Sequence, residues 1–280
     1  MFALPDHHLV TLRGRDAAAF AQAQFMSDVA VLAEGNWQWS GWLTPKGRVI
    51  ALFALLKADA ETIALVLHDA DPAQFTAQLQ RFVFRSKLAI ESGAMEVGGA
   101  FEAHPAAKGA RAAMAPDGFA FDFGGDGGAR TLWAGPGLAS ADDVDARARW
   151  AAFDLAHGLP RLAQSQVEKW TPQQLSLERL RAYSVKKGCY PGQEIVARLH
   201  FRGGHKRHLH RGTLPQRVDA GAALRVDARE VGCILDVVAN DNAFEALLAI
   251  DDETAEQWRA GTTPMFEPPL ALQLLSSWPA

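Results

Sequence analysis

The residues best equipped for chemistry lie between Lys186 and Arg211. Lys186-Lys187-Gly188-Cys189-Tyr190-Pro191-Gly192-Gln193-Glu194 sets a thiol between two glycines, behind two lysines and ahead of a carboxamide and a carboxylate. The glycines let the backbone turn tightly and approach a ligand without Cβ obstruction. Only a thiolate attacks, and cationic surroundings favour it, so Cys189 is the candidate reactive thiol. Gln193 and Glu194 can pair with the donor and acceptor edge of a heterocycle, the carboxylate accepting two N–H groups at once. From Ile195 to Arg211 there is no Asp or Glu, whereas Arg198, Arg202, Lys206, Arg207 and Arg211 carry a formal +5. That run suits an anionic ligand, with Lys187 and Arg198 as its first cations. The plainer alternatives are a solvated hinge for the run, a packing role for Tyr190, and a Glu194–Arg198 ion pair.

Metal chemistry is not indicated. His200, His205, His208 and His210 share the run, but cations interleave with them, no carboxylate adjoins them, and no CxxC accompanies them. Cys189 and Cys233 are too few for a Cys-ligated iron–sulphur cluster held by one chain. Cys233, in the apolar run GCILDVVA, reads as core. The glycine cluster Gly124-Gly125-Asp126-Gly127-Gly128 lacks the strand-to-helix setting and spacing of a phosphate loop and reads as a tight turn.

Lys187 to Glu194 resembles the K-G-C-Y-x-G-Q-E signature of the YgfZ-type folate-binding proteins, relatives of the glycine-cleavage aminomethyltransferases that are implicated in iron–sulphur cluster assembly. FAQAQFMSDV (Phe20 to Val29), GWLTPKGRVIALF (Gly41 to Phe53), RFVFRSK (Arg81 to Lys87), Gly158-Leu159-Pro160 and Pro172-Gln173 follow in the family's order. The resemblance covers most of the first 211 residues. It implies tetrahydrofolate, or a folate derivative, as cofactor, held by Lys46, Arg48, Lys187, Gly188, Tyr190, Gly192, Gln193, Glu194 and Arg198. Lys187 and Arg198 would face the glutamate tail, and Gln193 and Glu194 the pterin. Two departures, Ser176 where the family carries Asn and Leu199-His200 in place of Thr plus a basic residue, bear on pocket detail.

The aminomethyltransferase relatives use an Asp near the folate, in the segment equivalent to Lys46 to Phe53. Here no Asp or Glu occurs between Glu34 and Asp59, so the simplest route to protonating or orienting an amine is missing. Nor does a Glu appear in Phe153 to Gly158, where the transferases carry one for the pterin; Asp154 is the nearest carboxylate and lies out of register. The reading is therefore a folate-binding protein supporting assembly, repair or activity of iron–sulphur enzymes, including tRNA-modifying ones. Its partners would be those clients or their assembly factors, with no direct RNA contact and no membrane. Alternatives are a tetrahydrofolate-dependent aminomethyl or one-carbon transferase and an RNA-binding accessory protein.

These residues need a scaffold, and the rest of the chain supplies one. The 280 residues are 49% hydrophobic and 21% charged, with 28 Lys and Arg against 32 Asp and Glu, a globular composition at a length that favours more than one lobe. The net −4 argues against a whole-surface nucleic-acid binder. Two cysteines, a start (MFALPDHHLV) without a signal pattern and no long apolar run point to a reducing, cytoplasmic setting. Arg48 to Leu56 and Thr62 to Leu67 read as a strand hairpin. Asp71-Pro72, with Phe75, Leu79 and Phe82, predicts a helix, as does Asp142 to His157 ahead of Gly158 and Pro160. Thr171-Pro172 opens a further short helix through Leu175, Leu177 and Leu180. Short apolar runs after Arg211 read as a small β domain. The expected fold is α+β: the aminomethyltransferase-like, two-lobed and interleaved folate-binding arrangement over 1–204, closed by a C-terminal antiparallel β-barrel over 205–280.

Overall fold

The computed structural model describes residues 1–93, 95–136, 142–204, 206–240, 243–267 and 269–278. Its first half runs β1 (Phe2–Ala3), β2 (His7–Arg13), α1 (Ala17–Gln24), β3 (Asn36–Leu43), β4 (Val49–Lys57), β5 (Thr62–His68), α2 (Pro72–Gln80), β6 (Ala89–Ser92), β7 (Glu96–Ala100), β8 (Ala113–Ala115), β9 (Gly118–Asp122) and β10 (Thr131–Gly135). The second half runs α3 (Val144–Ala156), α4 (Gln193–Arg202), β11 (Arg207–Leu214), β12 (Ala223–Val226), β13 (Arg229–Asn240), β14 (Ala243–Asp251), α5 (Asp252–Arg259) and β15 (Gln273–Trp278). No helix among the described residues is long and apolar enough to cross a membrane.

Three antiparallel sheets result, in strand orders β3-β4-β5-β2-β6, β1-β7-β10-β9-β8 and β12-β13-β14-β11-β15. The first two lobes interleave at the N-terminus, because β1 pairs with β7 while β2, three residues on, pairs with β5 and β6. β4 and β5 are apolar on both faces, from Ala51 to Leu56 and from Ile63 to Leu67, because α1 and α2 cover one face and the second sheet covers the other. The Asp71 carboxylate accepts from the Gln74 N–H at 2.7 Å and starts α2, with Pro72 at its first position. Phe121 and Phe123 stack on Trp37 at centroid distances of 5.0 and 5.3 Å. Gly125 and Gly128 exchange backbone hydrogen bonds, closing the glycine cluster as a turn.

Two expectations are corrected. The C-terminal strands form an open five-stranded sheet rather than a barrel, and among the described residues the edge strands β12 and β15 do not pair. Closure is replaced by a cover: Ala255 and Trp258 of α5, with Phe266 and Leu272, pack on Leu224, Val231, Ile234 and Leu248, shielding that apolar face. Residues 171–180 form successive turns and not a helix. The Thr171 hydroxyl does accept from the Gln74-like position three residues on, the Gln174 N–H, but Ser176 takes φ +47° and Arg181 φ +51°. The Ser176 hydroxyl donates to the Trp278 carbonyl at 2.5 Å and accepts from the Leu209 N–H at 3.0 Å, so tertiary hydrogen bonds to β15 and β11 override the local pattern. His205, with the proposed domain boundary, lies outside the described residues.

Candidate functional site

The segment singled out by sequence is a loop that runs directly into α4. Lys187 is buried, and its ammonium donates to the Phe25 carbonyl at 2.5 Å and the Ser27 carbonyl at 2.8 Å while lying 4.9 Å from the centre of the Tyr190 ring. Burial pushes its pKa down to about 8, opposed by the Asp28 carboxylate. The Tyr190 hydroxyl donates to the Ser184 carbonyl, and the Gln193 carboxamide donates to the Lys187 carbonyl. Gly192 has φ +80° and lies so close to the β3–β4 turn that a Cβ would sit 2.6 Å from the Thr44 carbonyl oxygen. Gly47 of that turn, at φ +70°, leaves room for Ile195 in the same way. Lys187 and Gly192 thus hold the loop to the first lobe, while the Tyr190 and Gln193 hydrogen bonds brace it internally.

The remaining sequence candidates face outward or brace neighbours. Gly188, Cys189, Glu194, Arg198 and Lys46 are exposed, and among the described residues Glu194 and Arg198 make no ion pair with each other. The Arg48 guanidinium donates to the Lys169 carbonyl at 2.7 Å and to the Gln174 carboxamide oxygen at 3.2 Å. Cys189 is the accessible thiol; Cys233 is buried, and burial pushes its pKa up.

A second constellation, not anticipated from sequence, lies where the three sheets meet. Arg130 and Asp154, at 2% and 1% side-chain exposure, form an ion pair of 2.6 Å. Asp154 also meets Arg161 at 3.4 Å, and Arg161 grips Asp69 through two hydrogen bonds. Beside them His7 and His68, paired across β2 and β5, pack ring to ring at 4.6 Å. Neither ring nitrogen of either histidine has a hydrogen-bond partner among the described residues, nor does the Trp150 indole N–H. Leu4, His7, Asp69, Trp150, Arg161 and Asp236 line a cavity of about 180 Å³ there. His68 lies behind His7, stacked on Phe123 and 5.3 Å from Trp39. Trp39 also packs against the hydrophobic core of which Tyr190 is one member. A histidine closing the apolar run TIALVLH was the only sequence signal.

Burial first, then the charges of Arg161 and Arg130, hold the His7 and His68 pKa values well below the usual imidazole range, and His68 lowers that of His7 further. Such groups bind protons in the unfolded chain that the folded protein refuses, so stability is full above about pH 6.5 and is lost as pH falls. Asp236, raised by burial, works in the opposite sense and offsets up to one of those protons. Between about pH 6 and 5 the net expectation is a loss of stability, to which His210 and His157, also lowered by burial, add in the same sense. Urea titrations at both pH values check it, with His7→Phe/His68→Phe as the variant that should flatten the slope. An unchanged midpoint in the wild type would mean that the pair is not held neutral.

No family model matches the chain. An uncharacterised protein of Haemophilus influenzae is 27% identical over 266 residues, 91% of each chain. Proteins called tRNA-modifying protein YgfZ are similar as well: that of Enterobacter sp. strain 638 at 29% identity over 75% of this chain and 70% of its own, and that of Klebsiella pneumoniae at 27% over 86% and 82%. In three dimensions the chain superposes on the glycine cleavage system aminomethyltransferase T of Bartonella henselae with a TM-score of 0.70, over 90% of this chain and 78% of that one, at 17% identity. That likeness shows the fold.

Proposed function

Starting from a chain that is YgfZ-type and built on the aminomethyltransferase fold, we propose that it binds tetrahydrofolate and thereby supports the assembly, repair or activity of iron–sulphur enzymes, tRNA-modifying ones among them. The observation that carries the folate reading is the buried cluster of unpartnered polar nitrogens on His7, His68 and Trp150 beside a cavity. Buried polar groups without partners are costly, and a site built to accept a ligand is one reason to keep them. The residues fit the group. A pterin presents N–H donors and ring acceptors along its edge; of the groups lining the cavity, neutral His7 offers one donor and one acceptor and the Trp150 indole offers a donor. Trp39 and Phe123 give flat apolar faces nearby. At about 180 Å³ the cavity is smaller than the ~300–1,000 Å³ of pockets enclosing a drug-sized ligand, so it suits the ring end alone.

Binding is favoured over transfer because β4 and its turn offer no carboxylate, while Asp154 is neutralised by two arginines. Two cysteines are too few to hold a Cys-ligated cluster in one chain, which favours clusters residing on client enzymes. That the clients include tRNA-modifying enzymes rests on the resemblance and on the relatives' name. Tetrahydrofolate at a hundredfold excess over its dissociation constant should stabilise the protein by about 2.7 kcal/mol, read as a rise in Tm. No shift at saturating ligand removes the folate reading. Turnover of a methylamine-type donor would restore the transferase alternative.

A further inference from the structure

The cations around α4 are left unused by the fold. Among the described residues the side chains of Arg181, Lys186, Arg198 and Arg202 make no hydrogen bond or ion pair, and all four are exposed. Two contacts place them along one seam. The 178–187 stretch runs antiparallel to α4, because Glu178 pairs with His200 near the end of the helix at 3.4 Å and the Lys187 carbonyl accepts from the Gln193 carboxamide at its start. Arg181 and Lys186 lie between these pins, and Arg198 and Arg202, one turn apart, share a side of the helix. Phe201 stands at the same end. Its ring meets that of His200, the residue pinning the seam, at a centroid distance of 4.9 Å, yet Phe201 is 73% exposed. The carboxylates nearby are Glu194, at the start of α4, and Glu178, which is occupied by His200 and by the Tyr183 hydroxyl.

Unpartnered cations side by side repel one another and an exposed ring gains nothing from burial, so this set does not serve the fold. Repeated cations around a flat, solvent-facing ring suit a flexible polyanion that carries planar groups, whose backbone charges are neutralised while a planar group stacks. We propose that the seam between the 178–187 stretch and α4 binds single-stranded nucleic acid, its phosphates on Arg181, Lys186, Arg198 and Arg202 and one base stacked on Phe201. The net charge of −4 confines the footprint to this seam. The family resemblance implies no direct RNA contact; these side chains argue for one. An acidic protein segment would meet the same cations, but such partners seat their apolar anchors in desolvated pockets, whereas Phe201 faces solvent, where a base can stack on it. A duplex keeps its bases stacked within itself and would leave Phe201 unused. The inference is independent of the folate reading.

The experiment titrates the full chain with a fluorescein-labelled oligouridylate of about twelve nucleotides, an oligothymidylate of the same length and an RNA duplex of the same length. Four phosphate contacts, each releasing ~0.7 counterions, predict that oligouridylate affinity falls about fiftyfold between about 0.05 M and about 0.2 M salt. Lys186→Ala/Arg202→Ala should roughly halve that salt slope. Phe201→Ala should weaken binding about tenfold at both salt concentrations and leave the slope unchanged. Both variants remove exposed side chains and should keep the wild-type Tm. The tighter of the two single strands assigns the source as RNA or DNA, and equal affinities mean that the seam reads phosphate and base without the sugar; each of these supports the proposal. A salt slope near zero, a duplex bound as tightly as the single strands, or wild-type affinity in Phe201→Ala overturns it. Displacement of the oligouridylate by poly-glutamate at equal charge concentration assigns the seam to acidic protein segments and also overturns it.

Discussion

Asp154→Ala is expected to destabilise the protein by about 3–5 kcal/mol, the largest loss from any single truncation considered. The carboxylate is fully buried and neutralises Arg130 directly and Arg161 at longer range. Removing it leaves Arg130, itself 2% exposed, with carbonyl partners on Phe123 and Trp150 and the face of the Trp150 ring at 4.6 Å, none of which supplies a negative charge. An uncompensated buried charge is what makes the breaking of such a pair costly, whereas removing both charges need not be. Arg130→Met/Asp154→Leu should therefore recover most of the loss. Urea denaturation reads both variants as shifts in midpoint at unchanged slope. Should Asp154→Ala cost under about 1 kcal/mol, the network carries no more than surface pairs do, and the wall of the proposed pterin cavity is not rigid.

That network was invisible in the sequence, because Asp69, Arg130, Asp154 and Arg161 become neighbours only when three sheets converge. Asp154 could be noticed as a carboxylate near the wrong register, but its two cations could not be assigned to it. Legible features were those specified locally. Asp71-Pro72 starts α2 because an N-cap and a proline act within one turn, and β4 and β5 are apolar because both of their faces are covered. The turns at 171–180 mark the opposite case, where a helix-like spacing of leucines yields to the Ser176 hydroxyl bridging β11 and β15. α4 escaped notice because only Val196 among its residues is buried and the basic run that contains it drew the reading towards charge, although its few apolar residues do fall on one side. The octapeptide did not reveal the division of labour within it. Lys187 and Gln193, read as ligand groups, spend their donors on backbone carbonyls.

The same division of labour makes the motif's two glycines unequal, and this is the sharpest mutational contrast available. Gly192→Ala should cost about 2–5 kcal/mol, the sum of an unfavourable backbone region and of overpacking. The residue has φ +80°, and its new Cβ would lie 2.6 Å from the Thr44 carbonyl oxygen and 2.7 Å from the Gly47 Cα, both backbone atoms that cannot rotate aside. Relief requires α4 to separate from the β3–β4 turn, which would move Ile195 off Gly47 and loosen the loop that seats Lys187 on the Phe25 and Ser27 carbonyls. Gly188→Ala meets nothing within 4 Å and needs no left-handed backbone, so its effect on stability should stay within about 0.5 kcal/mol. Urea midpoints and tetrahydrofolate affinity on the two variants separate the roles. Loss of stability and affinity together in Gly192→Ala means that the loop's seat on the first lobe shapes the ligand site. If Gly188→Ala keeps its stability but loses affinity, Gly188 is where a ligand approaches the backbone, because an added methyl in open space can obstruct only what comes from outside.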